Sequence, residues 1–220
     1  MRPLLPIRAV SFDLDGTLYA TGPHRLRLMP RLLPQLPLIR AWGAAVKEAR
    51  RARASDIAGD VHQGIARRMG ISEEEARARL WFFLERTWIA ALRPAHVLPG
   101  LQEALTLLDA RGLPRAVASD HPTADKLAAL GLAQGWRTAL DGQSLGAMKP
   151  FPEVLLAAAG AMGCPPEALL HIGDRDDMDG AAARAAGARY LCVLDERGAS
   201  ASLPARIAAL LDARPEEERP

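Results

Sequence analysis

The stretch Ser11-Phe12-Asp13-Leu14-Asp15-Gly16-Thr17-Leu18 places two carboxylates where an apolar segment breaks into a glycine turn. Residues 7–12 are mostly apolar and β-prone, which predicts a buried parallel strand. Asp13 and Asp15 fall at its carboxyl end, where open α/β sheets bind ligands. Burying two ionised groups there requires a cation or a shared proton. The pair therefore indicates a metal and reaction site, although Asp-x-Asp-Gly alone also fits a calcium loop or an acidic turn.

A second apolar segment, residues 115–120, ends in Ser119 and Asp120. The Ser119 hydroxyl can donate a hydrogen bond to a phosphate oxygen. Either residue could instead cap the helix that is predicted over residues 123–130.

Lys149 stands before Pro150 and is one of three lysines in a chain rich in arginine. A compact ammonium group suits a phosphoryl oxygen or a nucleophilic carboxylate better than a planar guanidinium does. The alternative is an ordinary solvated lysine, which is the commoner situation.

The segment 171–180 carries four aspartates behind a short apolar stretch: Asp174, Asp176, Asp177 and Asp179. Carboxylate oxygens at a strand end suit Mg²⁺, which binds one or two carboxylates together with water and substrate oxygens. The spacing does not match a calcium loop, because the glycine and the distal glutamate are not in their places.

Taken in order, these motifs resemble those of the haloacid dehalogenase-like (HAD) hydrolase superfamily. The resemblance is carried by Asp13-x-Asp15-Gly16-Thr17, Ser119, Lys149-Pro150 and Gly173-Asp174 with Asp179, and it extends from residue 7 to about 195. It implies that Asp13 is a nucleophile forming an aspartyl-phosphate and that Asp15 is the general acid and then the general base. Lys149 would offset the negative charge of Asp13 and the phosphate.

The resemblance also implies ligand sets. Phosphate contacts are expected from Thr17, Ser119, Asp120 and Lys149; Mg²⁺ contacts from Asp13, Asp174 and the backbone carbonyl of Asp15; and support from Asp179, with Asp177 as the other possible second acid. Members that dehalogenate haloacids lack an acid at the position of Asp15 and work without Mg²⁺, so its presence favours a phosphatase. Asp120 stands where members often have asparagine, and a carboxylate near a phosphate needs a proton or a cation.

The chain is predicted to form a doubly wound, Rossmann-like α/β core with an inserted α-helical cap. Residues 1–19 and 97–220 are assigned to the core and residues 20–96 to the cap. Repeated strand and helix patterns beyond residue 100 predict the parallel sheet, and the charged tail, residues 214–220, is expected to fray. Helices are predicted in the cap over 38–54, 57–69 and 72–92, and three prolines (Pro30, Pro34, Pro37) predict a connecting segment.

Cap residues that could contact an anionic substrate are His24, Arg25, Arg27, His62 and Arg67. Arginines on helices are usually solvated, so each remains one possibility among several. The cluster Arg50, Arg51 and Arg53 is interpreted as a solvated face.

Composition and charge agree with this interpretation and bear on the possible partners. A net charge of +2 gives no support for nucleic-acid binding. Two cysteines are too few for a disulfide framework, and the chain shows no leader or membrane-length apolar run, so a cytoplasmic protein that does not bind membranes is expected.

The expected partner is a small phosphorylated metabolite such as phosphoglycolate, a sugar phosphate or a nucleotide, and the sequence is silent on oligomeric state. A phosphoacceptor signalling module and a catalytically silent scaffold remain alternatives, with a haloacid dehalogenase behind them. In receiver domains the acidic pair comes first and the phosphoacceptor lies mid-chain, unlike Asp13 here.

Overall fold

The computed structural model describes residues 5–52, 56–194 and 202–213. Within these ranges the strands are β1 (Ala9–Phe12), β2 (Arg115–Ser119), β3 (Thr138–Asp141), β4 (Leu169–Gly173) and β5 (Arg189–Cys192). They form one parallel sheet in the order β3-β2-β1-β4-β5. The predicted doubly wound α/β core is therefore confirmed, with β1 at its centre. The predicted frayed tail, residues 214–220, lies outside the described residues.

Helices cover both faces of the sheet. Successive side chains of a strand point to opposite faces, so strands that are apolar throughout need cover on both. One face packs Val10, Phe12 and Ile172 against apolar residues of three helices, which are α5 (Leu101–Ala110), α6 (Ala124–Ala129) and α9 (Leu203–Asp212). The other face packs Ala9 and Leu169 against α7 (Glu153–Ala161) and α8 (Ala181–Ala186). None of the described helices is long and apolar enough to cross a bilayer.

A helical insert lies between β1 and β2, as predicted. Its α-helices are α1 (Thr21–Leu32), α2 (Leu36–Ala52), α3 (Ile57–Met69) and α4 (Glu73–Phe82). These helices share an apolar cluster of their own, which also contains Met148 from the loop that precedes Lys149. The insert thus packs on the core next to a predicted site residue. The division at residues 20 and 96 stays a prediction.

The connecting segment predicted from three prolines is wrong, because residues 21–52 are almost continuously helical. Pro34 lies in the short 3₁₀ turn Leu33–Gln35, and Pro37 is the second residue of α2. A proline is tolerated in the first turn of a helix, where the missing N–H has no intrahelical partner. Pro30 lies inside α1, two residues before its end, where it removes one intrahelical hydrogen bond.

The single helix predicted over residues 72–92 is divided in the structure. Ser72 caps α4, as its spacing from Glu75 indicated, and its Oγ accepts a hydrogen bond from the Glu75 backbone N–H at 3.1 Å. The helix then widens into a π-helical turn, Phe83–Trp88, followed by a 3₁₀ turn, Ile89–Ala91. The helical character was predicted correctly, and the change of pitch was not.

Substitution of Leu108 by alanine tests the core on the α5 side of the sheet. Leu108 is 0% exposed, and deleting a buried leucine side chain lowers the free energy of unfolding by about 2–5 kcal/mol. Leu156 on α7 is 43% exposed and is the matched control, for which we expect a loss below ~1 kcal/mol. Urea unfolding of both variants measures the difference, and equal losses would contradict the assignment of Leu108 to the core.

Candidate active site

The predicted site residues meet at the carboxyl edge of the sheet. Asp13 directly follows β1, Ser119 is the last residue of β2, and Asp174 directly follows β4. Neighbouring parallel strands bring these ends together. Gly16 turns the chain away with a φ of +101°, a conformation that favours glycine. A Cβ atom at this position would collide with the Asp174 carboxylate, so the turn and the acid are in close contact.

Lys149 lies at the centre of this edge with its side chain only 3% exposed. Its Nζ donates to Asp13 Oδ1 at 2.5 Å, to Asp179 Oδ1 at 2.5 Å and to the Ala118 carbonyl oxygen at 3.2 Å. Burial of an ammonium group is unfavourable without such partners. The two carboxylates raise the pKa of Lys149 against the opposing effect of burial, so the side chain is a fixed positive charge.

An acidic group suited to a metal ion is formed by Asp13, Asp174 and Asp179, which offer carboxylate oxygens within 4.8 Å of one another. All three donors are hard oxygen ligands, and Mg²⁺ prefers this chemistry. Both oxygens of Asp179 already accept hydrogen bonds from protein donors, namely Lys149 Nζ and, at 3.1 Å, the backbone N–H of Arg175. Both oxygens of Asp13 also accept hydrogen bonds, from Lys149 Nζ and, at 3.4 Å, from the Thr17 hydroxyl, and each still has a second lone pair for an ion.

Burial of these acids opposes their ionisation. It raises the pKa of Asp13 to about 7, with a further contribution from Asp179 and an opposing one from Lys149. Burial, followed by the charge of Asp179, also raises the pKa of Asp174. A cation held between the two would favour their ionised forms.

Asp179 is oriented by a buried histidine that the sequence interpretation did not select. His171 Nε2 lies 3.3 Å from Asp179 Oδ1, and His171 Nδ1 lies 2.9 Å from Ser11 Oγ. Burial lowers the pKa of His171, so the ring is neutral at neutral pH. Since a carboxylate only accepts, Nε2 carries the proton and Nδ1 accepts from the Ser11 hydroxyl.

Asp15 faces a different set of partners from Asp13. The Tyr19 hydroxyl donates to its Oδ1 at 2.5 Å, and the Lys126 ammonium contacts its Oδ2. Burial opposes ionisation of Asp15, but the charge and hydrogen bond of Lys126 outweigh it and lower the pKa. The Asp15 side chain is therefore not part of the acidic group, and the predicted metal contact through its backbone carbonyl stays a prediction.

Asp120 is bound from two sides. Its Oδ1 accepts from the Lys149 backbone N–H at 2.7 Å, and its Oδ2 accepts from Arg50 Nη2 at 2.7 Å. Arg50 belongs to α2 and its side chain is 20% exposed, so the solvated-face interpretation is wrong for this residue. The insert thus supplies the cation that a carboxylate at position 120 was expected to need. A role of Asp120 in phosphate binding stays a prediction.

The remaining predicted residues are placed as follows. The Thr17 hydroxyl donates to Asp13 Oδ2 at 3.4 Å, and Ser119 Oγ accepts from the His121 backbone N–H at 3.4 Å. Asp177 is exposed and paired with Arg175, so Asp179, not Asp177, lies with the other acids.

Two of the possible cap contacts have other partners in the structure, and one of them, His24, also packs edge-on against the ring of Tyr19. His24 is buried, with Nε2 3.2 Å from the Trp88 carbonyl oxygen, and its ring stacks edge-on against the Trp88 ring. Arg67 forms an exposed ion pair with Glu48. The residues that the sequence interpretation missed are Arg50, Tyr19, Lys126 and His171. Only Lys126 had a signal in the sequence, because the scarcity of lysine that singled out Lys149 applies to it equally.

Comparisons with known proteins identify the family of this chain. Residues 7–187 match the family of haloacid dehalogenase-like hydrolases. A curated phosphoglycolate phosphatase from Shigella flexneri is 30% identical over 200 residues, which cover 82% of this chain and 79% of that protein. The chain belongs to the haloacid dehalogenase-like hydrolases.

Solved structures show the same fold at lower identity. A β-phosphoglucomutase from Clostridium difficile has a TM-score of 0.63 at 18% identity, covering 87% of this chain and 86% of that one. An L-2-haloacid dehalogenase from Xanthobacter autotrophicus also has a TM-score of 0.63 at 18% identity, covering 93% and 88%. Because these neighbours perform different reactions on one fold, the fold alone does not assign the activity.

Substitution of Lys149 by methionine tests the buried charge network. Removing the ammonium leaves Asp13 and Asp179 buried without a counter-charge, which destabilises a protein by about 3–5 kcal/mol. The exposed Lys47 on α2 provides the control variant Lys47→Met, which should stay within ~0.5 kcal/mol of the wild type. Chemical denaturation gives both values, and a stable Lys149→Met protein would show that the network is not what holds these acids.

Substitution of Gly16 by alanine tests the turn beside Asp174. We expect a strain of roughly 1–3 kcal/mol and weaker Mg²⁺ binding, because the new methyl group displaces the Asp174 carboxylate. The increase in melting temperature on adding Mg²⁺ reports the binding. Gly22→Ala is the matched control, since no atom lies within 4 Å of a Cβ built there. An unchanged Mg²⁺ response in Gly16→Ala would argue against Asp174 as a ligand.

Proposed function

We propose that this protein is a magnesium-dependent phosphatase that hydrolyses a small phosphomonoester through an aspartyl-phosphate on Asp13. The proposal is carried by one observation, the buried Asp13 carboxylate at the end of β1, 2.5 Å from Lys149 Nζ and grouped with Asp174 and Asp179. Phosphoryl transfer spreads negative charge over the transferred group, so positioning and positive charge do most of the catalysis. Lys149 provides a positive charge, and Asp13 and Asp174 provide carboxylates that could hold a metal ion.

In the first step, an oxygen of Asp13 attacks phosphorus while the bond from phosphorus to the ester oxygen breaks. Asp15 gives its proton to the departing oxygen, so that an alcohol leaves and not an alkoxide. The hydroxyls of Thr17 and Ser119 bind phosphoryl oxygens. The product of this step is an acyl phosphate on Asp13.

In the second step, water attacks the phosphorus of the acyl phosphate. Asp15, now ionised, takes a proton from that water, and the bond between phosphorus and the Asp13 oxygen breaks. Inorganic phosphate leaves and Asp13 is regenerated. The same carboxyl group is therefore acid in the first step and base in the second.

The pKa directions at rest are the reverse of those that the first step requires, since that of Asp13 is raised and that of Asp15 is lowered. Asp13 and Asp174 would hold Mg²⁺, whose positive charge would offset that of the phosphate and favour the ionised form of Asp13. The arriving phosphate is itself an anion, and it raises the pKa of nearby Asp15 toward the protonated form. Substrate binding thus prepares both carboxyl groups.

The helical insert is proposed to act as a cap that selects the substrate and excludes water. Arg50 supports this, because it extends from α2 to Asp120 beside Lys149. Similarity to phosphoglycolate phosphatases places phosphoglycolate first among the substrates to test, ahead of sugar phosphates and nucleotides. Dehalogenation is disfavoured by Asp15, and a phosphoacceptor role by the order of the motifs.

Phosphate release from a generic aryl phosphate tests the proposal, with wild type and Asp13→Asn compared in Mg²⁺ and in excess chelator. We expect turnover only for the wild type with Mg²⁺, and a loss of at least about 10⁴-fold in kcat for Asp13→Asn, as is seen for removal of a catalytic nucleophile.

Control measurements separate the alternatives. Both proteins should show the same circular dichroism spectrum, so that lost turnover reflects lost chemistry. Halide release from a haloacid, or metal-independent phosphate release that survives Asp13→Asn, would contradict the mechanism.

A further inference from the structure

Both carboxylate oxygens of Asp15 are held by buried side chains that the proposed mechanism leaves without a role. The Lys126 ammonium contacts Oδ2, and the Tyr19 hydroxyl donates to Oδ1 at 2.5 Å. A carboxylate has about four lone-pair positions, so these two contacts still leave acceptor capacity directed elsewhere. The two contacts fix the plane of the carboxylate and leave some of its lone-pair positions unused.

Lys126 is unusual in its burial. It lies on α6, which follows β2, and its side chain is 7% exposed. A lysine is seldom buried unless it is paired, because its ammonium group loses solvation. The Lys126 ammonium forms an ion pair with Asp15, a residue 111 positions away in the chain. The partner that compensates the burial of Lys126 is therefore Asp15 and not a neighbour on α6.

Tyr19 connects Asp15 to the helical insert. Trp88 Nε1 lies 2.9 Å from the Tyr19 hydroxyl oxygen. An indole N–H can only donate, so the Tyr19 oxygen accepts from Trp88 and its own proton points to Asp15. Trp88 ends the π-helical turn of the insert, and Tyr19 is fully buried. The donor and the acceptor of both hydrogen bonds, from Trp88 to Tyr19 and from Tyr19 to Asp15, are thus determined.

We propose that Lys126 and Tyr19 are positioning residues for Asp15, holding its carboxyl group where it exchanges a proton with the leaving oxygen. This inference rests on the proposed phosphatase function. It assigns the residues no contact with substrate: they act through Asp15 alone. Through Trp88 the same contacts make the orientation of Asp15 dependent on the position of the insert.

The test compares two phosphate esters that differ in their need for an acid. Para-nitrophenolate leaves readily without a proton, whereas the alkoxide of benzyl phosphate does not. The quantity to measure is kcat/KM, which covers only the steps up to phosphorylation of Asp13 and so excludes the later role of Asp15 as a base. A lost acid therefore shows as a change in the ratio of the two kcat/KM values.

For Lys126→Met and Tyr19→Phe we expect kcat/KM for benzyl phosphate to fall roughly 100-fold, the size of effect that misplacing a catalytic group produces. Loss of either donor also raises the pKa of Asp15 and so favours its acid form, which means that a fall reports displacement of the carboxyl group and not loss of its proton. For para-nitrophenyl phosphate the fall should be at least tenfold smaller. Lys126→Arg, which keeps the charge, should recover part of the loss. The exposed Lys47→Met variant should match the wild type with both esters.

The controls keep the outcomes distinct. Tyr19→Phe removes only a hydroxyl group, so it tests the inference even if Lys126→Met does not fold. Asp15→Asn should reproduce the selective loss. Equal losses with both esters, or no loss, would overturn the positioning role while leaving the phosphatase intact. Turnover by Asp13→Asn would overturn the proposed function and this inference together.

Discussion

The buried ammonium group of Lys149 is the interaction on which the site depends. It lies between Asp13, which follows β1, and Asp179, in the helical turn Asp176–Gly180 that comes after β4, and it also binds the carbonyl oxygen of Ala118 on β2. Two strands and the turn after a third are therefore held by one positive charge. Without it, buried carboxylates would repel one another and would not remain ionised.

The backbone of Lys149 extends this dependence to the insert. Its N–H donates to Asp120, which in turn is paired with Arg50 of α2, and the preceding residue, Met148, packs in the apolar cluster of the insert. The loop that carries Lys149 is thus held by a hydrogen bond to Asp120 and by apolar packing against the insert. A movement of the insert would displace this loop first, since interdigitated side chains transmit displacement.

Two carboxyl groups two residues apart in sequence belong to separate networks. Asp13 is joined to Lys149, Asp179 and His171, all buried, whereas Asp15 is joined to Lys126 and Tyr19. Separate partners give them opposite pKa shifts, which is how two like groups can take different parts in one reaction. The glycine that follows Asp15 turns the chain away from the strand.

The sequence by itself determined the fold class and the predicted acids. An apolar strand that ends in Asp13-Leu14-Asp15-Gly16 predicts a buried strand of a parallel sheet, and the structure shows that sheet with this strand at its centre. It did not reveal β3 or α9. The four residues of β3 are only partly buried, so their apolar signal is weak, and α9 lies far from any motif.

Only the tertiary structure decided the partners of the acids. Lys126 and Asp15 are separated by 111 positions, Arg50 and Asp120 by 70, and Ser11 and His171 by 160. Pairing over such distances depends on strand register and on how the insert folds back, neither of which is encoded by local spacing. Local pattern therefore determines which residues can do chemistry, and packing decides which charge each of them meets.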